Sequence, residues 1–262
     1  LKIREEIGDR QGQATSLNSI GCAHGNLGDE PTALEYSVKS LKIREEIGDR
    51  LGQAYSLNNI GAAHNNLGEY PKALENHVKS LKIREEIGDR DGQAYSLNNI
   101  GRIYLEQDKY EEAKEHFNLG EKIGKEIGAK ESLRRIYVSL AELGIGVSNL
   151  DAAGNYAEQA VQLAKELNSK AGQAEVLLLQ ARMESAADKW QKADCNFKEA
   201  IAIFKETKRP FETAKAHYYY GQMFKAKGDA EQAQEYLLQA GEIFERLNAK
   251  AWLQKIQIGN TR

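Results

Sequence analysis

The sequence predicts an all-α protein that stacks one pair of helices many times. The first observation is a repeat, because the segment LKIREEIGDR recurs at an interval of forty residues, at 1–10, 41–50 and 81–90. The second is that apolar and small residues recur within each unit at the spacing of a helix face. The third is that Gly and Pro stand where such helices have to end and begin. An active site needs its residues once, so recurrence at a fixed interval indicates stacked units.

Composition narrows the class of protein. The chain has 262 residues, of which 41% are hydrophobic and 29% are charged, and its net charge of −3 argues against a nucleic-acid binder. It has no apolar run of about 18 residues, so we expect no membrane segment. Cys22 and Cys195 stand far apart and in no metal spacing, which predicts a reducing, cytoplasmic location without a disulfide. The chain has no initiator Met and opens in mid-helix, so we expect it to be part of a longer protein.

The elements follow the repeat in order along a single solenoid, 1–262. Residues 1–10 are predicted to end the second helix of a preceding unit, and residues 251–262 to form a C-terminal cap or the start of a further helix. Between them we predict six complete units: 11–50, 51–90, 91–130, 131–170, 171–210 and 211–250.

The second unit shows how each pair of helices is predicted. A first helix is expected over 52–67, and Gly68 suits a left-handed cap at its end. Pro71 suits the first turn of a second helix over 71–87, which Gly88 ends. The Lys, Arg and Glu side chains of the LKIREE segment are expected to be mostly solvated, with only small contributions from ion pairs along the helix.

Small residues fill fixed columns of the repeat and let helix backbones approach closely. One column is alanine in all six units: Ala33, Ala73, Ala113, Ala153, Ala193 and Ala233. Another is Gly or Ala: Gly21, Gly61, Gly101, Ala141, Ala181 and Gly221. A third is small throughout: Ser40, Ser80, Gly120, Ala160, Ala200 and Ala240.

These columns resemble the tetratricopeptide repeat (TPR), although the period here is forty residues and the usual one is about 34. The second unit carries the pattern in Leu57, Ile60-Gly61, His64, Gly68-Glu69-Tyr70, Ala73, His77 and Ser80. The wording GQAYSLNNIG…LGEYPKAL…SLKIREEIGDR looks most like the forty-residue repeats of the Partner of Inscuteable (Pins) class of polarity scaffolds. It is equally similar to repeat segments of bacterial signalling proteins. The resemblance implies a right-handed superhelix of antiparallel helix pairs, whose first helices line a concave groove that binds peptides or partner domains.

The resemblance places ligand contacts on the first helices, where the sequence carries an asparagine ladder. Asn18, Asn58 and Asn98 share one column, and Asn59 and Asn99 share the next. Asn is a poor residue inside a helix, so its repetition calls for a reason. An amide offers both a donor and an acceptor, which suits the backbone of an extended peptide. The alternative is that the second column bonds neighbouring helices and touches no ligand.

Arginine and tyrosine complete the candidate site. Arg102 and Arg135 fall on adjacent first helices and could meet one carboxylate of a partner, or they pair with Glu142 and Glu175 inside the protein. In addition, two tyrosines of one column either belong to the groove edge or pack between repeats, namely Tyr55 and Tyr95.

We therefore expect a scaffold that binds a protein or peptide of some acidic character. We expect no catalysis and no cofactor, because the sequence has no phosphate loop and no nucleophile elbow. No metal site is expected either, since His24 and His64 stand a full repeat apart, in a column where the repeat packs core side chains. One alternative is a regulatory segment of a larger signalling protein, which associates through its repeat ends. Another is a ligand-sensing segment that uses the more apolar late groove: Leu178, Leu179, Tyr218 and Tyr219.

Overall fold

The computed structural model describes residues 1–260, and in this range the chain forms fourteen α-helices and no strand. The predicted all-α architecture is confirmed. In chain order the helices are α1 (Lys2–Glu6), α2 (Arg10–Asn26), α3 (Glu30–Glu46), α4 (Arg50–Asn66), α5 (Tyr70–Glu86), α6 (Arg90–Glu106), α7 (Tyr110–Ile127), α8 (Lys130–Gly146), α9 (Leu150–Glu166), α10 (Lys170–Ala186), α11 (Trp190–Glu206), α12 (Pro210–Lys227), α13 (Ala230–Arg246) and α14 (Lys250–Asn260).

The helices pack as pairs from α2·α3 to α12·α13, and each second helix also contacts the first helix of the next unit. The first helices contact one another as well, from α2·α4 to α10·α12, so they form one continuous inner layer. The first helices begin one residue before the unit boundaries expected from the sequence, for example at Arg50 rather than 51. Helix α14 lies in the segment 251–262, whose last two residues are outside the described residues.

A left-handed residue stands between consecutive helices and turns the chain back. Gly48, Gly68 and Gly88 take this conformation with φ of 71°, 79° and 73°. The residue after the left-handed one is the N-cap of the following helix. Before α4, for example, the Asp49 carboxylate accepts a hydrogen bond from the Gly52 N–H at 2.9 Å. Because this cap lies ahead of the first apolar positions, α4 starts two residues before the expected residue 52. Six later turns use other residues at φ between 48° and 58°, namely Asp108, Ser148, Asn168, Asp188, Lys208 and Asn248, while Gly128 and Gly228 keep glycine.

Two arginines of the recurring LKIREE segment, Arg44 and Arg84, are buried, so the expectation that its charged residues are mostly solvated is wrong for them, whereas Arg4 in the first copy is partly exposed. Arg44 is 5% exposed and Arg84 is 3% exposed. Arg44 Nη1 donates to the Gly52 carbonyl at 2.5 Å, and Arg84 Nη1 to Asp89 Oδ2 at 3.0 Å. Each guanidinium therefore joins a second helix to the start of the next first helix. The Lys and Glu side chains of the same segment are exposed, as expected.

The Gly or Ala column has a packing role on the first helices. A Cβ on Gly61 would lie 2.8 Å from the ring of His77, and one on Gly101 would lie 2.5 Å from the ring of Phe117. Both contacts are shorter than van der Waals packing allows, so the small residue makes room for a bulky side chain of the partner helix.

The solenoid returns on itself across one superhelical turn. A Cβ on Gly28 would lie 2.1 Å from Leu247 Cδ2, and one on Gly68 would lie 2.7 Å from the Cβ of Ala251. The turns of the first two units therefore touch the last units, and the inner layer encloses a groove. Within residues 1–260 no helix has both the length and the apolar character needed to cross a bilayer.

Candidate ligand-binding groove

The inner layer of first helices encloses a main cavity of about 300 Å³. A side cavity of about 140 Å³ adjoins it, and both are lined by Arg102, Glu106, Glu142 and Lys215. The main cavity runs from the first unit to α12, so its wall combines residues that are far apart in sequence. Of the nine candidate residues, six line it: Asn59, Tyr95, Asn98, Asn99, Arg102 and Arg135.

The second asparagine column bonds the neighbouring first helix. Asn59 Nδ2 donates to Asn18 Oδ1 at 3.0 Å, and Asn99 Nδ2 donates to Asn58 Oδ1 at 2.8 Å. The alternative that this column joins helices is therefore what the contacts show, although Asn59 and Asn99 also face the cavity. Asn18 and Asn58 are not among the residues that line the cavity.

The ladder stops at Asn98, and this leaves polar atoms without partners. Asn98 is 1% exposed, and its Oδ1 has no hydrogen bond. The next unit has Ser139 at the position of Asn99, and its short side chain leaves its own buried Oγ without a partner too. Both residues line the main cavity. Buried polar groups are nearly always hydrogen-bonded, so this pair calls for an explanation.

The two tyrosines differ in their surroundings. Tyr55 is 46% exposed and contacts the guanidinium of Arg84, 5.0 Å from its ring centre. Tyr95 is half-buried and lines the main cavity, with the Arg135 guanidinium 5.3 Å from its ring centre. Only Tyr95 is therefore placed toward the groove.

Most groove arginines are paired within the protein. Arg135 Nε lies 2.9 Å from Glu131 Oε1, and Arg182 Nη1 lies 2.7 Å from Glu142 Oε1. Glu175 is held by Arg134 at 2.8 Å. The internal-pairing alternative is thus the observed arrangement for Arg135, with Glu131 as its partner in place of the expected carboxylates.

Arg102 has no hydrogen bond and no ion pair to any described residue. Burial disfavours its charge, but the nearby carboxylates of Glu142, Glu106 and Glu175 raise the pKa of Arg102 above its ordinary value. Its charged guanidinium faces both cavities with donors to spare.

Lys215 is a second cation without a hydrogen bond or ion pair among the described residues. Its side chain is only 9% exposed, and its Nζ lies 5.2 Å from the ring centre of Trp252. The aromatic ring that covers Lys215 belongs to Trp252 on α14, one helix pair further along the chain. No local sequence pattern predicts the contact between Lys215 and Trp252.

Glu30 is a buried carboxyl group that the sequence analysis missed. It is 2% exposed and lines the main cavity from the first turn of α3. Burial raises the pKa of Glu30 to about 7, against the hydrogen bond that Asn66 Nδ2 donates to Oε1 at 2.8 Å. A signal was present in the sequence, since the same column is apolar or aromatic in every other unit: Tyr70, Tyr110, Leu150, Trp190 and Ala230.

The residues of the late groove pack mainly against each other. Leu178 and Leu179 are buried, although both reach the wall of the main cavity. Tyr218, Tyr219 and Trp252 form edge-to-face ring contacts, with centroids 5.3 to 6.1 Å apart. Packing between repeats accounts for this cluster.

No arrangement for covalent chemistry is visible in the described part of the groove. The Cys22 thiol faces the main cavity, but burial raises its pKa, which keeps it protonated. His24 bonds Asp29 at 3.0 Å and His64 bonds Glu69 at 2.6 Å. Within residues 1–260, no three His, Cys, Asp or Glu side chains come together as a metal site.

Comparison with known proteins places the chain among repeat proteins. Residues 52–126 and residues 13–47 match models of the tetratricopeptide repeat. No curated protein sequence is significantly similar to this chain.

Solved structures share its fold at low sequence identity. RapI in its apo form is 20% identical with a TM-score of 0.72, over 91% of this chain and 85% of RapI. The Rap conjugation gene regulator of the plasmid pLS20, solved with the Phr* peptide, is 13% identical with a TM-score of 0.74, over 93% of this chain and 76% of that one. Aspartyl phosphate phosphatase F from Bacillus subtilis is 14% identical with a TM-score of 0.74, over 89% of this chain and 60% of the phosphatase.

The repeat matches lie within residues 13–126, and the same pairing of helices continues to α13. The chain is therefore a tetratricopeptide repeat protein in the matched residues, and its later helix pairs continue the same solenoid.

Proposed function

We propose that this chain is a protein-interaction scaffold whose groove binds an extended peptide segment of a partner. One observation carries the proposal: the wall of the main cavity holds buried polar groups that the described residues leave without hydrogen bonds. Asn98 Oδ1 and Ser139 Oγ are two of them, and Arg102 adds donors beside them. Leaving such groups unpaired costs free energy, and the N–H and C=O groups of an extended peptide would satisfy them.

Charge favours a partner segment with an acidic group. Arg102 and Lys215 both face the two cavities without an ion pair to a described residue, although Glu142 acts on both from a longer distance. A carboxylate bound between them would gain charge-assisted hydrogen bonds in a mostly desolvated place. The peptide complex of the pLS20 regulator supports a peptide ligand, since that protein has the same fold.

We propose that the groove binds its ligand and does not catalyse a reaction. One neighbour is named a phosphatase, but it shares only 14% of its sequence with this chain. In this groove Glu142 and Glu175 are held by arginines, and the Cys22 thiol is a poor nucleophile. A reducing, cytoplasmic location belongs to the same proposal, because Cys22 and Cys195 are both free.

A library of random heptapeptides displayed on phage tests this function. Peptides selected on the wild-type chain are expected to bind it in calorimetry, and to bind the double variant Asn98→Ala, Arg102→Ala at least roughly tenfold more weakly. The matched control is Arg50→Ala, which removes an exposed ion pair with Glu86 on the outer surface. Equal affinity for the wild type and the double variant, with both folded by circular dichroism, would contradict the groove as the binding site.

Association of copies through the ends of the solenoid stays a separate prediction. Light scattering over a range of concentrations checks it. A mass that stays at one chain would argue against the regulatory, self-associating alternative.

A further inference from the structure

Glu30 is a buried carboxyl group that has no counter-charge. Its carboxyl group is almost wholly buried at the N-terminal end of α3 and faces the main cavity. No Lys, Arg or His side chain of the described residues lies within ion-pair distance of it. A buried carboxylate without a cation is costly, so a positively charged ligand group would be stabilised beside it.

The acceptors around Glu30 outnumber the donors. Asn66 donates to Oε1 at 2.8 Å, while Oε2 receives no hydrogen bond. The neighbouring Asn65 Oδ1 is buried without a partner and belongs to the wall of the same cavity. Both residues line the same cavity, so a ligand group that brings N–H donors and no acceptor would suit them.

Across the groove, α12 adds negative charge to this position. Glu212 lines the same cavity and lies close enough to act on the Glu30 carboxyl. Glu212 has its own partner in Arg209, at 3.3 Å. Asp29, the cap of α3, also acts on Glu30 from the chain side. The first and the last units thus meet in a patch whose net charge is negative.

We propose that Glu30, Asn65 and Glu212 form a subsite for a protonated amine or guanidinium of the bound peptide. This subsite, which rests on the proposed peptide-binding function, takes a lysine or arginine side chain or the amino terminus of the peptide. Its ammonium or guanidinium would donate to Glu30 Oε2 and Asn65 Oδ1, with Glu212 balancing the charge. The opposite charge of Arg102 and Lys215 elsewhere in the cavity then fixes the direction of a peptide that carries both a basic and an acidic group.

Proton linkage adds a signature that a purely structural glutamate would not give. Without a ligand, burial raises the pKa of Glu30, and Asp29 and Glu212 raise it further, with Arg209 beside Glu212. A bound cation holds the carboxyl group ionised, so binding releases a proton when the pH is below about 7. Affinity is therefore expected to rise by up to about tenfold per pH unit below that value, and to level off above it.

The test uses N-acetylated random hexapeptide mixtures in which one position is fixed in turn as Lys, Arg, norleucine or Glu. The wild-type chain is expected to retain mixtures with Lys or Arg at one position, and Glu30→Gln is expected to lose that selection by roughly tenfold or more. Glu35→Gln is the matched control, since Glu35 lies on the same helix in an exposed pair with Lys39. Titrations of the best peptide at pH 6 and pH 8 should show pH dependence in the wild type and none in Glu30→Gln.

Each outcome bears on the proposal. Peptides bound with no basic preference, or with a preference that survives in Glu30→Gln, overturn the subsite and leave peptide binding standing. If no N-acetylated mixture is retained, the same mixtures are repeated with a free amino terminus, and retention that Glu30→Gln loses assigns the subsite to that terminus. If the folded wild type retains no peptide of any mixture, while Glu35→Gln behaves the same, the proposed function falls together with the subsite.

Discussion

At the residue scale, His77 is a buried side chain whose surroundings suit another residue type. It is 2% exposed, and its Nδ1 has no hydrogen bond. Burial, with a smaller effect of Arg84 and Arg102, lowers its pKa to about 3. Four other units place an apolar side chain in this column: Phe117, Ala157, Phe197 and Leu237. The histidine therefore occupies a core position in its neutral form.

We predict that His77→Phe stabilises the protein by about 1 kcal/mol, because it removes an unpaired buried nitrogen and fills the same space over Gly61. The unfolded chain takes up a proton at this histidine near pH 6.5, and the folded chain does so only near pH 3. The free energy of unfolding is therefore not reduced by His77 above pH 6.5. As the pH drops below 6.5, it decreases by up to about 1.4 kcal/mol per pH unit. Urea unfolding at pH 7 and pH 5 should show a smaller loss of stability on acidification in His77→Phe than in the control His116→Gln, which removes a half-buried histidine of the next unit. Equal losses would contradict the argument.

At the element scale, the turns between helices share one conformation and differ in how well their residues fit it. Gly88 has a φ of 73° with open space where a Cβ would stand, whereas Lys208 takes a φ of 54° despite its side chain. A residue with a Cβ costs about 1 kcal/mol or more in this region. Turns with glycine, which include all of those in the first two units, therefore end their helices at less cost than turns such as the one at Lys208.

Two opposite substitutions test this. Lys208→Gly should raise the free energy of unfolding by about 0.5 to 1 kcal/mol, and Gly88→Ala should lower it by about 1 kcal/mol, since neither change meets a steric clash. Chemical denaturation of both variants beside the wild type measures the two changes. Shifts of the same sign would show that something other than the left-handed conformation decides the stability of these turns.

The same elements show what the sequence could predict. The helical spacing of apolar residues, together with Gly and Pro at the helix ends, predicted the pairs of helices, because both features are local properties of the chain. The sequence did not reveal the burial of Arg44 and Arg84, because charged residues are usually solvated. The hydrogen-bond partners of both arginines lie at the start of the next helix. Asn98 was assigned to the groove by its column, but the loss of its partner follows from the serine in the next unit.

At the scale of the whole molecule, the groove depends on a contact that no stretch of sequence contains. Leu247 and Ala251 meet the turns at Gly28 and Gly68, although more than 180 residues separate each pair along the chain. This closure results from the small rotation that every unit adds to the last. Glu30 and Glu212 are brought together in the same way, so the cation subsite could not be found from either segment alone.

The closure predicts a disulfide that joins the two ends of the solenoid. In a background with Cys22→Ser and Cys195→Ser, Gly68→Cys with Ala251→Cys should form a bond on mild oxidation after a small opening of the contact, because the two Cβ positions lie 2.7 Å apart. The bond closes a very long loop and should raise the free energy of unfolding by up to about 4 kcal/mol. The matched control pairs Ala251→Cys with Gly88→Cys, at the next turn along the chain, where a Cβ would have no atom within 4 Å. Gel mobility of the oxidised, monomeric protein and thermal unfolding with and without reductant measure both effects. Crosslinking that is equally slow in the two pairs would mean that the solenoid stands open in solution, and the joint subsite of Glu30 and Glu212 would then not persist.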